Sequence, residues 1–237
     1  MKIVSIGDTH GRTEWKKIIK EDFDNSNFIF LGDYTDPYRV ERISEDESIE
    51  NLKEILELKK KNPEKISLLL GNHDAQYLYY PNFTKTGNLS RIYLQELLDI
   101  YQLNQNLFQI AVQKDNYLFT HAGVTKGWLQ EHIELFVQFG LKEDKSNLAI
   151  ILNKVSKDPL WRRILGDISF YRNGGDRYAG PLWADKIELE KDLLLPNFHQ
   201  IVGHNKFEQI FTVGDSDTSI TFCDCLFNKN EAYILDI

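Results

Sequence analysis

The sequence of 237 residues has only two cysteines and one methionine, and no apolar run approaches the roughly 20 residues of a membrane-spanning helix. The cysteines, Cys223 and Cys225, are two positions apart on one face of a predicted strand, where a mutual disulfide is disfavoured. Gly7 and Asp8 interrupt the first apolar stretch, so we expect no signal peptide. From these absences we expect a reduced, cytoplasmic protein with no membrane partner.

The chain also has few basic residues relative to acidic ones. It contains 28 lysines and arginines and 36 aspartates and glutamates, which gives a formal net charge of −8. A broad nucleic-acid-binding face needs many basic side chains to displace phosphate counterions, so we expect no long nucleic acid as a partner. A small phosphorylated substrate held through a metal is compatible with this charge. No linker or shift in composition divides the chain, and its length predicts one domain over residues 1–237.

The sequence does contain a repeated pattern of a short apolar strand followed by a polar loop. KIVSI leads to GDTHG, NFIFL to GDYTD, KISLLL to GNHD, NYLFT to HAG and HQIV to GHN, with helical stretches between several of them. This alternation predicts βαβ units and a largely parallel sheet. Near the C-terminal end, QIFTV, SITFCDC and AYILDI are separated by turn residues and predict antiparallel strands.

Residue types that bind metals follow five of these predicted strands. They are Asp8 and His10, then Asp33 and Asp36, then Asn72, His73 and Asp74, then His121, and finally His204. In open α/β sheets, sites form beyond the carboxyl ends of the strands. We therefore expect these side chains to meet at one rim of the sheet.

The chemistry of this set indicates two divalent ions, since one ion rarely needs six protein ligands that mix oxygen and imidazole donors. Carboxylate and amide oxygens suit Mn²⁺ or Mg²⁺, and imidazole suits Fe, Zn or Ni. Two ions about 3.5–4 Å apart can share a carboxylate and a hydroxide, and they clamp the attacking and leaving oxygens of a phosphoryl transfer. The residues thus predict a dinuclear site for that reaction.

In order and content, the series GDTHG, GDYTD, GNHD, HAG and GHN resembles the motifs of the calcineurin-like metallophosphoesterase superfamily. GDYTD is similar to the GDxxD motif of the serine/threonine protein phosphatase branch and its bacterial and phage-type relatives, and GPLWAD (180–185) is similar to another segment of that branch. The resemblance implies an α/β fold, a four-layer α/β/β/α sandwich of two mixed sheets flanked by helices. The strands from 208 to 237 would complete the second sheet.

The resemblance also implies a role for each site residue. Its six metal ligands are Asp8 and His10 for the first ion, Asp33 as the bridge, and Asn72, His121 and His204 for the second ion. His73 stands beside the leaving-group oxygen as general acid, and Asp36 matches the acid that orients it. The expected cofactors are two divalent ions, Mn²⁺ first, with Fe, Zn or Ni as alternatives.

Two motifs depart from the family pattern. The branch usually continues GDxxD with an arginine that contacts the phosphate, whereas Pro37 and Tyr38 follow here. Either Arg39, or Arg172 or Arg177 of the glycine-rich stretch RNGGDR (172–177), replaces it, or no arginine contacts the phosphate. RNGGDR itself offers a phosphate cradle or an ordinary surface turn. Many members carry Gly-His-x-His, whereas Lys206 takes the last place in GHNK.

We therefore expect a dinuclear metal-dependent phosphoesterase that hydrolyses a phosphomonoester by attack of a metal-bridging hydroxide, with a protein serine/threonine phosphatase as one form of it. One alternative is hydrolysis of a dinucleoside polyphosphate or a small phosphodiester. Another is a non-catalytic binding scaffold of the same fold, which the complete ligand set and His73 argue against. The sequence predicts neither the natural substrate nor the oligomeric state.

Overall fold

The first of two β-sheets carries the loops that the sequence motifs mark. The protein is described here by a computed structural model that covers residues 2–79, 91–191 and 195–236. The first sheet consists of β1 (Lys2–Ile6), β2 (Ser26–Phe30), β3 (Ile66–Leu69), β4 (Phe108–Gln109) and β10 (Tyr233–Asp236). Its order is β10-β1-β2-β3-β4. Strands β1 to β4 are parallel, and β10 runs antiparallel to β1 with Asp236 opposite Lys2.

The second sheet is also mixed. It consists of β5 (Ala111–Lys114), β6 (Tyr117–Thr120), β7 (His199–Val202), β8 (Phe211–Gly214) and β9 (Ser219–Phe222), in the order β5-β6-β7-β9-β8. Strands β6, β7 and β9 are parallel, while β5 and β8 are antiparallel edges. Parallel central strands in both sheets confirm the βαβ reading of the sequence.

The C-terminal strands differ from expectation in two ways. We expected all of them to be antiparallel members of the second sheet, but β9 is parallel to β7 and β10 belongs to the first sheet. The reason is that the edge of β1 opposite β2 carries backbone groups that need partners. Strand β10 supplies them and places Leu235 in the core while Ile234 faces solvent.

The helices lie outside the sheets. They are α1 (Trp15–Asp22), α2 (Glu45–Lys61), α3 (Asn72–Leu78), α4 (Leu94–Leu103), α5 (Lys126–Glu131), α6 (Ile133–Gln138), α7 (Leu148–Lys157) and α8 (Lys186–Lys191). Helix α2 starts at a capping box in which Ser44 and Glu47 satisfy each other's backbone N–H groups, and it ends in three lysines that suit the helix dipole.

The core forms layers because neighbouring strand residues point to opposite faces. In and beyond β2, Phe28 and Phe30 pack towards helices α1 and α2, whereas Ile29 and Leu31 pack between the sheets. Phe222 of β9 packs on the outer face of the second sheet, beside Leu189 of α8. The layers of the fold therefore follow the expected order of helices, first sheet, second sheet and helices.

Two further expectations concern single features of the chain. Within residues 2–79, 91–191 and 195–236, the structure contains no helix that is both long and apolar enough to cross a bilayer. Cys223 and Cys225 are buried and unpaired, but β9 ends at Phe222, so neither lies on the strand as predicted.

Candidate metal centre

Five loops meet where β1, β2, β3, β6 and β7 end, and glycine allows their close approach. A Cβ atom on Gly203 would lie 2.2 Å from Oδ1 of Asp8, and one on Gly71 would lie 2.0 Å from Oδ1 of Asp33. Real Cβ atoms do not come so close to another atom. Glycine at these two positions therefore lets both carboxylates lie directly against the backbone of a neighbouring loop.

Four predicted site residues adopt left-handed backbone conformations, which non-glycine residues rarely do. Their φ angles are 43° for His10, 52° for Asp33, 61° for Asp36 and 64° for His204. Such strain persists only where surrounding structure fixes the backbone. Here the N–H of His10 donates to the carbonyl of Asp33 at 2.8 Å, so the first two loops hold each other in shape.

The first cluster consists of Asp8, His10 and Asp33, all buried, with ligand atoms within 4.8 Å of one another. Nδ1 of His10 donates to the carbonyl of Thr35 at 2.8 Å. This bond leaves Nε2 as the unprotonated nitrogen, and Nε2 lies 3.7 Å from Oδ2 of Asp33.

A second cluster consists of Asp33, His121 and His204, and it shares Asp33 with the first. Nδ1 of His121 donates to the carbonyl of Leu31 at 2.8 Å. Its Nε2 lies 2.9 Å from Oδ1 of Asn72, 3.1 Å from Nδ1 of His204 and 3.5 Å from Oδ2 of Asp33. All six predicted ligands are thus brought together, and Asp33 lies between the two groups.

The polar atoms of these clusters fit divalent cations. With Nδ1 of His121 donating to Leu31, its Nε2 is an acceptor that faces another acceptor, Oδ1 of Asn72. Among the described residues, the buried Nε2 of His204 has no hydrogen-bond partner. A bound cation would compensate both features, because it would separate the two facing acceptors and give the buried nitrogen a partner.

Burial favours the neutral form of the three histidines, which is the form that metal ions require. Burial lowers the pKa of His121 to about 3, and it lowers the pKa values of His10 and His204 well below their usual range. Neutral imidazole is the form that binds metals. Burial also raises the pKa of Asp33 to about 8, because a buried carboxylate needs a positive partner. A divalent ion beside Asp33 would be that partner.

His73 forms a separate pair with Asp36. Its Nδ1 lies 2.8 Å from Oδ2 of Asp36, whose oxygens also accept from Nε2 of Gln76 at 2.8 Å and the hydroxyl of Tyr77 at 2.6 Å. The backbone N–H of His73 donates to Oδ1 of Asp33 at 2.9 Å. Burial lowers the pKa of His73, but the carboxylates of Asp33 and Asp36 outweigh it and raise the pKa to about 9. The pair therefore favours a protonated imidazole next to the clusters.

Asp74 links the loops that follow β2 and β3, and its side chain is buried. Its Oδ2 accepts from the backbone N–H groups of Asp33 at 2.7 Å and Gly71 at 2.8 Å. Its Oδ1 accepts from the N–H of Tyr34 at 3.1 Å and the hydroxyl of Tyr101 at 2.5 Å. With both oxygens engaged and the side chain fully buried, Asp74 acts as a hydrogen-bond acceptor that fixes the position of Asp33.

The three candidate arginines lie in different surroundings. Nη2 of Arg172 donates to Oδ1 of Asn205 at 2.8 Å, next to His204, and its Nε lies 2.7 Å from Oδ2 of Asp185. The guanidinium of Arg177 lies over the ring of Tyr178, 5.2 Å from its centre, and the side chain is exposed. Arg39 is exposed at the start of a 3₁₀ helix. Of the three arginines, Arg172 is hydrogen-bonded to a loop of the site.

The stretch RNGGDR folds as a turn whose backbone groups bond within it. The N–H of Gly174 donates to the carbonyl of Ser169 at 2.9 Å, and the N–H of Asp176 donates to that of Ile168 at 3.0 Å. Oδ2 of Asp176 accepts from the N–H of Ile168 at 2.7 Å. These bonds favour the surface-turn alternative over a backbone cradle for phosphate.

Sequence reasoning assigned no role to three charged or aromatic neighbours of the clusters. Nη1 of Arg12 donates to the carbonyl of Asp8 at 2.9 Å, and the hydroxyl of Tyr38 lies 3.1 Å from Nε2 of His10. Asp224 is buried, and its charge adds to the raised pKa of Asp8 after the larger effect of burial. Arg12 directly follows GDTHG, and Tyr38 follows Pro37, which takes the place of the family arginine, so both could have been found from the motifs. Asp224 lies far from them in sequence and gives no such signal.

Known proteins resemble this chain over most of its length. A family model described as calcineurin-like phosphoesterase matches residues 1–205. A mutant cold-active protein tyrosine phosphatase superimposes with a TM-score of 0.55 at 16% identity, covering 99% of this chain and 75% of the other. A protein serine/threonine phosphatase from Saccharomyces cerevisiae gives 0.51 at 15% identity, covering 94% and 67%. These structures share the fold, and no curated protein matches significantly.

Proposed function

The chain belongs to the calcineurin-like phosphoesterase family and is a hydrolase of phosphoester bonds, and from this we propose that it hydrolyses phosphomonoesters at a dinuclear metal centre. The observation that carries the proposal is the position of Asp33, which belongs to both clusters of ligating atoms. The substrate that we propose is a phosphorylated small molecule or a phosphoprotein.

The proposed ligands divide between two ions. Asp8 and His10 would hold the first ion, Asn72, His121 and His204 would hold the second, and Asp33 would serve both. When bound, such a pair supplies a hydroxide nucleophile at neutral pH and positive charge for the phosphate oxygens. The mixture of carboxylate, amide and imidazole donors supports Mn²⁺ as the metal, with Fe, Zn and Ni as alternatives.

His73 is the proposed proton donor to the leaving-group oxygen. Asp36 accepts the hydrogen bond from Nδ1, which fixes the ring and leaves Nε2 as the nitrogen available to a substrate. Gln76 and Tyr77 hold Asp36 in turn, so the imidazole is oriented by a chain of hydrogen bonds. A protonated histidine so placed can give its proton as the bond to phosphorus breaks.

A comparison of ester classes tests this function against its alternatives. We expect the manganese-loaded protein to hydrolyse p-nitrophenyl phosphate with a higher kcat/KM than bis-p-nitrophenyl phosphate. A preference for the diester would favour the reading as a phosphodiesterase. No turnover of either ester, or of phosphopeptides and dinucleoside polyphosphates, would favour the non-catalytic scaffold.

Arg172 is the arginine that we propose to contact the phosphate, since its bond to Asn205 places it beside His204. Replacing it with alanine should lower kcat/KM for a phosphomonoester by about 10- to 100-fold, because hydrogen bonds to charged groups are among the stronger ones. Both a higher KM and a lower kcat are expected, with metal content unchanged. Arg177→Ala is the matched control, and equal kinetics for the two variants would remove Arg172 from the site.

A further inference from the structure

Two positions at which the sequence departs from its family lie together in space. Pro37 and Tyr38 follow GDYTD in place of the Arg-Gly with which the family branch usually continues, and Lys206 closes the GHNK motif. The two residues are 168 positions apart in the chain, yet Nζ of Lys206 lies 2.9 Å from the centre of the Tyr38 ring. The two departures therefore form a single structural unit.

This unit reaches the first cluster of ligands. The hydroxyl of Tyr38 lies 3.1 Å from Nε2 of His10, the nitrogen that faces Asp33. The rings of Tyr38 and His10 have centres 4.6 Å apart. The ammonium of Lys206 lies over the same tyrosine ring whose hydroxyl contacts His10, so Tyr38 connects the lysine to the first cluster.

Aromatic side chains hold the lysine in this place. Besides the Tyr38 ring, its Nζ lies 4.6 Å from the centre of the Phe227 ring, which meets Tyr38 edge to face at 6.2 Å. A cation over aromatic faces is attracted to them electrostatically. Lys206 is exposed, so its side chain lies at the protein surface rather than within the core.

Lys206 differs from its neighbour Arg12 because it makes no direct ion pair with a described carboxylate, although Asp224, Glu41 and Asp8 lie close enough to act on its charge. Nε and Nη2 of Arg12 donate to the two carboxylate oxygens of Glu41, at 2.5 and 2.8 Å, and Nη1 donates to the carbonyl of Asp8. In the part of the chain that the structure describes, no carboxylate oxygen lies within 4.0 Å of Nζ of Lys206. Its three N–H donors have room for an anion.

We propose that Lys206, seated on Tyr38, binds the oxygens of the substrate phosphoryl group on the His10 side of the site. This inference rests on the proposed function, and it adds that the substrate is a phosphomonoester dianion. A dianion gains more from a second cation than a phosphodiester, which carries one negative charge less. Lys206, and Arg172 through its bond to the adjacent Asn205, would then both supply positive charge to the phosphate beside residues 204–206.

The test compares Lys206→Met with Lys186→Met. Lys186 is a matched control, because its Nζ also lies over two aromatic rings, 5.3 Å from Phe207 and 5.4 Å from Phe211. Methionine keeps an unbranched apolar side chain and removes the ammonium group with its charge and N–H donors. Inorganic phosphate binding to the manganese-loaded protein is measured by calorimetry, together with metal content and kcat/KM for p-nitrophenyl phosphate and bis-p-nitrophenyl phosphate.

For Lys206→Met we expect phosphate affinity and monoester kcat/KM to fall by about 10- to 100-fold, a much smaller loss for the diester, and unchanged metal content. Lys206→Arg should restore most of the loss. Phosphate affinity equal to that of the Lys186 control, or equal losses for the two esters, would overturn the inference. If the wild type hydrolyses neither ester, the proposed function fails, while the comparison of phosphate affinities still decides the role of Lys206.

Discussion

Asparagine in place of Asp33 is expected to leave the protein without either metal ion and without measurable phosphatase activity. Oδ2 of Asp33 lies 3.7 Å from Nε2 of His10 and 3.5 Å from Nε2 of His121, so one oxygen faces both clusters. An asparagine has one carbonyl oxygen, and its NH₂ group cannot bind a cation. That single oxygen can still accept from the N–H of His73, as Oδ1 does now, so the loop keeps its shape.

The control for this prediction is Asn72→Ala, which touches the second cluster alone. Elemental analysis after dialysis should find both ions reduced in Asp33→Asn, but mainly one ion reduced in Asn72→Ala. Thermal unfolding of the metal-free proteins checks that each variant folds. An Asp33 variant with both metals and full turnover would show that Asp33 does not bridge.

Replacing His73 with asparagine is expected to lower kcat by about 10²–10⁴-fold, the usual contribution of a general acid, while both ions stay bound. The expectation follows from the contacts of His73. Its ring is held by Asp36, and the structure shows it outside both groups of ligating atoms. The measurement is steady-state turnover of an alkyl phosphate, combined with the metal content of the variant.

The leaving group decides whether the lost function is proton donation. An alkoxide needs a proton to leave, whereas p-nitrophenolate leaves readily as an anion. The loss in His73→Asn should therefore be large for the alkyl phosphate and small for p-nitrophenyl phosphate. Equal losses for both substrates would argue against an acid role, and loss of metal would identify His73 as a ligand.

The meeting of the five motif loops at one rim could be predicted from the sequence for a physical reason. A short apolar strand followed by a glycine-containing loop is a local pattern, and parallel strands bring their carboxyl ends to one edge. The motifs around Asp8, Asp33, Asn72, His121 and His204 could thus be placed at one rim before any distance was known. The hydrogen bond between His73 and Asp36 agrees with the orienting role that the family resemblance implied.

Features that depend on contacts between distant segments could not be predicted in this way. Nothing in AYILDI distinguishes a strand that pairs with β1 from one that extends the second sheet. The stacking of Lys206 on Tyr38 joins two loops that are unrelated in sequence. RNGGDR is rich in glycine and arginine, yet the bond from Gly174 to Ser169 makes it a turn. In each case the tertiary structure selects one of several arrangements that the local sequence allows.

Titration of the metal-free protein with Mn²⁺ tests most directly whether this is a dinuclear phosphoesterase. Protein stripped by a chelator is mixed with increasing Mn²⁺, and bound metal and p-nitrophenyl phosphate hydrolysis are measured on the same samples. We predict no activity without metal, little with one ion per chain, and a plateau as the second ion binds. Undiminished hydrolysis by the fully metal-free protein would contradict the account.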